Sequence, residues 1–329
     1  MTQPAKENCE SPGNERTRIT AEGIERAVAM IDAQFLDTPQ VEFESIAKET
    51  GVHIVLKIET LNPIRSFKGR GASYFIAGLR DLRALVTASA GNFGQGLAFA
   101  GRSKGINVTV FAAKTANPLK IACMRDFGAE VVLVGQDFDE AKSAAREYAV
   151  ARDTRFVEDG RDAAISEGAG TIAIELLDSQ KPFDAILVPV GNGALINGIG
   201  SWVKKHAPET SVIGVCASGA PAMARSWRSG KVENAASETI ADGVAVRVPI
   251  AEAVAHMRNV VDDVLLVEDA AIVQAMRLIL HHAGLVTEPA GALGVAGALT
   301  HRTRFIGRRI AVPLCGANIT PEQFRTWLT

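Results

Sequence analysis

Lys68 stands in the segment L-N-P-I-R-S-F-K-G-R-G, residues 61–71, where an apolar run ends, Pro63 and Gly69 punctuate a loop, and a helical pattern begins. A lysine at a helix N-terminus opposes the macrodipole, which favours anions there. Becoming a neutral amine or an imine removes that conflict; a surface lysine in a basic loop with Arg65 and Arg70 is the plainer alternative. A second segment, A-S-A-G-N-F-G-Q-G at 88–96, follows another apolar run. Its small residues let backbone N–H groups approach a ligand, and a helix beginning near Gly94 points its positive end at the same place. A carboxylate or phosphate fits such a turn, and Asn92 adds a side-chain amide; an ordinary capped turn fits the same letters.

The third segment, V-P-V-G-N-G-A-L-I-N-G at 188–198, links an apolar strand to an apolar helix, the arrangement that cradles phosphate in main-chain amides. Its glycine spacing departs from the dinucleotide pattern G-x-G-x-x-G, and no G-K-[ST] follows, so a single phosphate is the better ligand. Tight packing at a glycine-rich helix start is the alternative. The fourth, P-L-C-G-A-N at 313–318, puts Cys315 where a ligand-facing side chain sits, unless it is a buried structural cysteine. Cys9, Cys123, Cys216 and Cys315 form no C-x-x-C pair; Cys9 belongs to a polar, mobile arm, and the others read as small buried residues. The six histidines contain no H-E-x-x-H, and the neighbours His281 and His282 are expected on different sides of a helix, so no metal site is predicted.

These turns need a scaffold, and short Val/Ile/Leu runs alternating with longer amphipathic stretches supply one. Strands are predicted at 53–58, 84–88, 107–111, 130–134, 185–190, 212–216 and 309–314, and helices at 94–104, 118–127, 138–152, 165–177 and 270–282. Near-continuous apolar character in the strands indicates parallel sheets covered on both faces, hence one or two open α/β sheets. Ligands then bind beyond the carboxyl ends of the strands, where all four turns fall. At 329 residues and 47% hydrophobic the chain can bury a large core, and no repeat or linker divides it. A net charge of -2 gives no electrostatic case for nucleic acid or an anionic membrane. A polar start without a signal-like apolar run, and no stretch of about 18 apolar residues, predict a cytoplasmic protein.

In order, S-F-K-G-R-G, S-A-G-N-F-G-Q-G, the glycine loop 191–198, E-P-A-G-A at 288–292 and C-G-A-N resemble the fold-type II family of pyridoxal-phosphate enzymes, and within it the threonine/serine dehydratases and serine racemases. The likeness spans about residues 38–318. It implies two doubly wound open-sheet α/β domains of the tryptophan synthase β-like architecture. A larger cofactor-binding domain would comprise 1–70 with 153–329, and a smaller mobile one, 71–152, would carry the asparagine loop and close over the substrate. By the same likeness Lys68 holds pyridoxal 5'-phosphate as a Schiff base and later moves the substrate Cα proton, with Phe67 packed beside the cofactor. Asn92 bonds the pyridine 3'-oxygen, while Ser89, Ala90, Gly91, Asn92 and Phe93 form the loop receiving the substrate carboxylate. Gly191, Asn192, Gly193, Ala194 and Leu195 surround the cofactor phosphate, Glu288 joins the cofactor set, and Cys315 takes the place of the serine facing the pyridine nitrogen. Asn192 and Ala194 replace glycines, which is tolerable if those positions need no positive φ.

The implied reaction is β-elimination: a small 3-hydroxy amino acid such as threonine or serine gives a 2-oxo acid and ammonia. A neutral thiol at Cys315 makes the ring a restrained electron sink, which favours expelling a β-substituent. The departing hydroxyl is expected to be helped by the cofactor phosphate. Racemases of the family carry a second serine where this chain has Ala90, so racemisation ranks lower. Phe93 replaces the family's histidine, and the acidic ligands of the racemases' divalent cation are replaced by Cys216 and Ala222. No sequence after Thr329 offers the regulatory domain of biosynthetic threonine dehydratases, so feedback by isoleucine is not expected, and a homodimer is. β-Replacement of the cysteine synthase type and a non-catalytic binding protein on the same fold are the competing functions.

Overall fold

The computed structural model of the chain describes residues 18–179 and 181–329; Cys9 and its arm lie outside them. Among the described residues ten strands form two sheets. They are β1 (Gln40–Glu42), β2 (His53–Ile58), β3 (Ala84–Ala88), β4 (Asn107–Ala112), β5 (Glu130–Leu133), β6 (Arg155–Val157), β7 (Ala185–Pro189), β8 (Ser211–Ala217), β9 (Asp263–Val267) and β10 (Arg309–Leu314). The larger sheet has the order β1-β2-β10-β7-β8-β9, and the smaller β5-β4-β3-β6. Every pairing is parallel except β1 with β2.

Side chains alternate across each sheet as the strand period requires. On the larger sheet Ile54, Leu56, Ile310, Val312, Leu187 and Val215 enter one core, and Val55, Ala311, Ile186, Val188 and Cys216 the other. On the smaller, Leu85, Val108 and Val110 face one core, and Val86, Ala88 and Phe111 the opposite one. Burial on both faces is why these strands read as unbroken apolar runs.

The expected strands are present within one or two residues, but β1, β6 and β9 were not anticipated. β1 and β6 are three residues long, too short to show a period, and β9 is separated from the helix Ala251–Val260 by only Val261 and Asp262. Because β6 pairs with β3, the smaller sheet extends past the expected limit at residue 152. The helix expected near Gly94 begins at Asn92, with Gly91 as its cap. His281 and His282, expected on different sides of their helix, meet edge to face with ring centroids 4.7 Å apart. Consecutive helical residues diverge by only about 100°. Among the described residues no helix is long and apolar enough to cross a membrane, and no group of three or more His, Cys, Asp or Glu could hold a metal ion.

Candidate active site

The carboxyl ends of five strands meet. Lys68 begins the helix Lys68–Ala77 after β2, Ser89 follows β3, Asp159 follows β6, Gly191 follows β7 and Cys315 follows β10. Hydrogen bonds tie the turns together. The Phe67 amide donates to the Cys315 carbonyl at 3.2 Å, and the Ser66 hydroxyl donates to the same oxygen at 3.0 Å. The Asn318 amide donates to Asn92 Oδ1 at 2.9 Å, and Asn92 Nδ2 donates to Glu288 Oε1 at 2.6 Å. Four of the motifs singled out in the sequence are thus directly joined. The glycine loop joins through Gly160, whose left-handed φ of +86° turns the chain after β6 so closely past Asn192 that a Cβ there would strike its carbonyl.

Lys68 is mostly buried, with its amine 4.7 Å from the Phe67 ring centroid and 5.8 Å from that of Phe93. Its charge is answered by Asp159, whose Oδ2 accepts from Lys68 Nζ at 2.6 Å. This carboxylate relieves the conflict with the helix dipole, and the sequence reading missed it. The clue would have been its place at a strand's carboxyl end, but β6 itself was not anticipated. The other oxygen, Oδ1, is buried without a hydrogen-bond partner among the described residues.

Glu288 is buried beside the asparagine loop. Burial pushes its carboxyl upward, and the Lys120 ammonium at 3.4 Å and the Asn92 amide pull it back. Lys120 is buried too, which works against its charge, but Glu288 and Asp242, the latter at 2.8 Å, more than offset this and hold it firmly as an ammonium. A Cβ at Gly91 would lie 3.7 Å from Lys120 Nζ, so this ammonium, paired with its two carboxylates, stands beside the asparagine loop. Neither Lys120 nor Asp242 stood out in the sequence, because each is one charge in an ordinary helix start.

The helix Ala194–His206 starts at Gly193 with no side-chain cap, which leaves its first-turn N–H groups for an anion. Gly193 alone in this loop adopts positive φ, +93°, so Asn192 and Ala194 sit where a side chain costs nothing. The Ala194 and Leu195 side chains are core, and these residues offer the site only their backbone. Ser89 Oγ accepts from the Gly91 and Gly94 amides at 3.2 and 3.0 Å, capping the helix Asn92–Lys104. Phe93 belongs with Phe75, Leu97 and Met124 to the smaller core while its ring also lies toward the Lys68 amine. Cys315 Sγ donates to the Ala290 carbonyl at 3.5 Å, and burial, with Glu288 nearby, pushes the thiol up to about 12. Cys216 and Ala222 are fully enclosed in the larger core region. An amine, an uncapped helix start, an amide and a neutral thiol thus gather at the carboxyl ends of these strands.

Comparison with known proteins supplies the family. Residues 31–316 match the family described as pyridoxal-phosphate dependent enzyme. An L-threonine ammonia-lyase of Geobacter sulfurreducens is 36% identical over 286 residues, covering 86% of this chain and 71% of that protein. Among solved structures, a T.th. threonine deaminase superposes with a TM-score of 0.87 at 30% identity, over 92% of this chain and 99% of that one. Maize serine racemase superposes with a TM-score of 0.88 at 26% identity, over 94% and 96% of the two chains.

Proposed function

The chain belongs to the pyridoxal-phosphate dependent enzymes, and from that membership we propose a lyase that removes the elements of water from a small 3-hydroxy amino acid, threonine or serine, to release a 2-oxo acid and ammonia. The residues present fit the cofactor. Lys68 supplies the amine, the uncapped N–H groups at Gly193 to Leu195 a phosphate seat, and the Cys315 thiol a neutral neighbour for the ring nitrogen. Asn92 has one N–H engaged by Glu288 and a second free for the ring oxygen, since an amide nitrogen carries two. Phe67 offers its ring face beside Lys68.

When bound, pyridoxal phosphate supplies an aldehyde to capture the substrate nitrogen and a ring that takes up charge leaving Cα. The rest falls to the chain. Lys68, once released, removes the Cα proton. Within the loop of Ser89, Ala90, Gly91, Asn92 and Phe93, the amides of Ala90, Asn92 and Phe93 remain for the substrate carboxylate at a helix N-terminus, those of Ser89 and Gly91 being engaged by the Phe111 carbonyl and Ser89 Oγ. Cys315 stays protonated, so no strong anion holds a proton on the ring nitrogen, and early departure of the β-substituent is favoured over a long-lived carbanion. The released enamine hydrolyses in water.

The observation that carries this reading is the Lys68 amine held where the asparagine loop, glycine loop and Cys315 turn converge. Purified protein loaded with pyridoxal phosphate is expected to absorb in the visible, to yield 2-oxo acid and ammonia from threonine or serine with no second substrate, and to lose both properties in Lys68→Ala. A Lys68→Ala protein with unchanged spectrum removes Lys68 from this role, and product formation only with an added nucleophile points to β-replacement. Ala90 carries no group able to return a proton, so serine recovered part-way should keep its configuration; appearance of its enantiomer would favour a racemase. The family resemblance further supports a homodimer, and the free thiols at Cys123, Cys216 and Cys315 suit the reducing cytoplasm. Sedimentation at a mass near 34.8 kDa would overturn the dimer.

A further inference from the structure

We propose that Asp159 is a second proton-transfer group of this site, taking from Lys68 the proton removed at Cα and delivering it to the departing β-hydroxyl. The proposal rests on the β-elimination reading and gives Asp159, in place of the cofactor phosphate expected from the resemblance, the delivery of a proton to the departing hydroxyl.

Three observations carry it. Asp159 Oδ2 lies 2.6 Å from Lys68 Nζ, a hydrogen bond along which a proton can pass. Oδ1 is buried and has no donor among the described residues, although a desolvated carboxylate oxygen without a partner is costly. The turn is also rigid, because Gly160 is wedged against Asn192, and the neighbouring cations are committed elsewhere: Arg155 to Asp162, and Arg161 to Glu252 and Glu158. Lys68 is the cation that Asp159 faces.

The chemistry balances without a co-reactant. The Lys68 amine accepts the Cα proton and becomes an ammonium. The ammonium gives a proton to the Asp159 carboxylate, which becomes a carboxyl. As the Cβ–O bond breaks with its electron pair going to oxygen, the carboxyl proton follows, water departs, and Asp159 and Lys68 return to carboxylate and amine. The substrate has lost one hydrogen from Cα and one hydroxyl from Cβ. A carboxyl is intrinsically a stronger acid than an ammonium and so the better donor to a departing hydroxide.

The test compares leaving groups. Chloride needs no proton, so in Asp159→Asn the kcat on serine should fall about 10²–10⁴-fold while that on β-chloroalanine stays within about 10-fold. A readout independent of turnover uses cofactor-free protein: acetic anhydride should acylate Lys68, quantified by peptide mass, faster in Asp159→Asn than in wild type at one fixed pH, since the amine has lost its carboxylate partner. Equal losses on both substrates would overturn the proposal and leave Asp159 as a residue that positions Lys68. Undiminished serine turnover, or unchanged Lys68 acylation, would overturn it as well. Wild-type protein inert toward both substrates would instead remove β-elimination itself, and this proposal with it.

Discussion

Gly193, at the start of the helix proposed to seat the phosphate, holds φ +93°, a conformation that costs a residue with a Cβ about 1–3 kcal/mol. Gly193→Ala is therefore expected to lower the thermal midpoint and to lose pyridoxal phosphate on dialysis faster than wild type, monitored by visible absorption. Unchanged retention would show that the loop does not seat the phosphate. Cys315 gives a contrast in chemistry. With its thiol pushed up to about 12 by burial, it stays neutral across the working range and reacts with iodoacetamide only as the pH nears that value. Peptide mapping of native protein at pH 8 should find partly exposed Cys123 alkylated and Cys315 not.

The helix Lys68–Ala77 is positioned by Arg70, which is fully buried two residues after Lys68. Its guanidinium grips Glu59 through Nε at 2.8 Å and Nη2 at 2.9 Å, and it bonds Glu175 and Thr171, while Lys57 bonds Glu175 from the other side. The bidentate fork fixes direction as well as charge, which a lysine could not do. Burial pushes the Glu175 carboxyl up, but Arg70 and Lys57 prevail and hold it below its ordinary value of 4.5. A carboxyl lowered on folding contributes stability that is present above its unfolded value and lost as pH falls through the lower folded one. Glu175→Gln should thus cost about 3–5 kcal/mol at pH 7, read from the urea midpoint, because it leaves buried cations unpaired. The difference from wild type should shrink on acidification below 4.5; a constant difference would mean the charge is not the cause.

Across the whole molecule, ion pairs bridge the parts built on the two sheets. Arg247, ahead of the helix Ala251–Val260, reaches Asp137 and Asp139 at the start of the helix Phe138–Ala151; Arg161 reaches Glu252, and Lys120 reaches Asp242. The Arg247 and Arg161 pairs are partly exposed and contribute only about 0–1 kcal/mol each, weak enough to open and reform, whereas Lys120 is buried. We expect the segment 71–152, with β6, to close on the rest when substrate binds. Solution scattering should show a smaller radius of gyration with a non-reactive serine analogue bound, and an unchanged radius would argue against closure.

By itself the sequence determined the turns and the strands that hold them, because both are local: glycines, small residues and a lysine at strand ends, and apolar runs buried on two faces. Bounds for β2, β3 and β10 could be read to the residue for that reason. The tertiary structure decided the rest. Asp159, Lys120 and Asp242 enter the site only because β6 pairs with β3 and the two halves of the molecule meet there, and a single carboxylate or ammonium in a short turn carries no periodicity to announce it. Arg70 read as one charge in a basic loop; that it is buried, and that it sets the direction of the Lys68 helix, depends on Glu59 and Glu175, the latter 105 residues away.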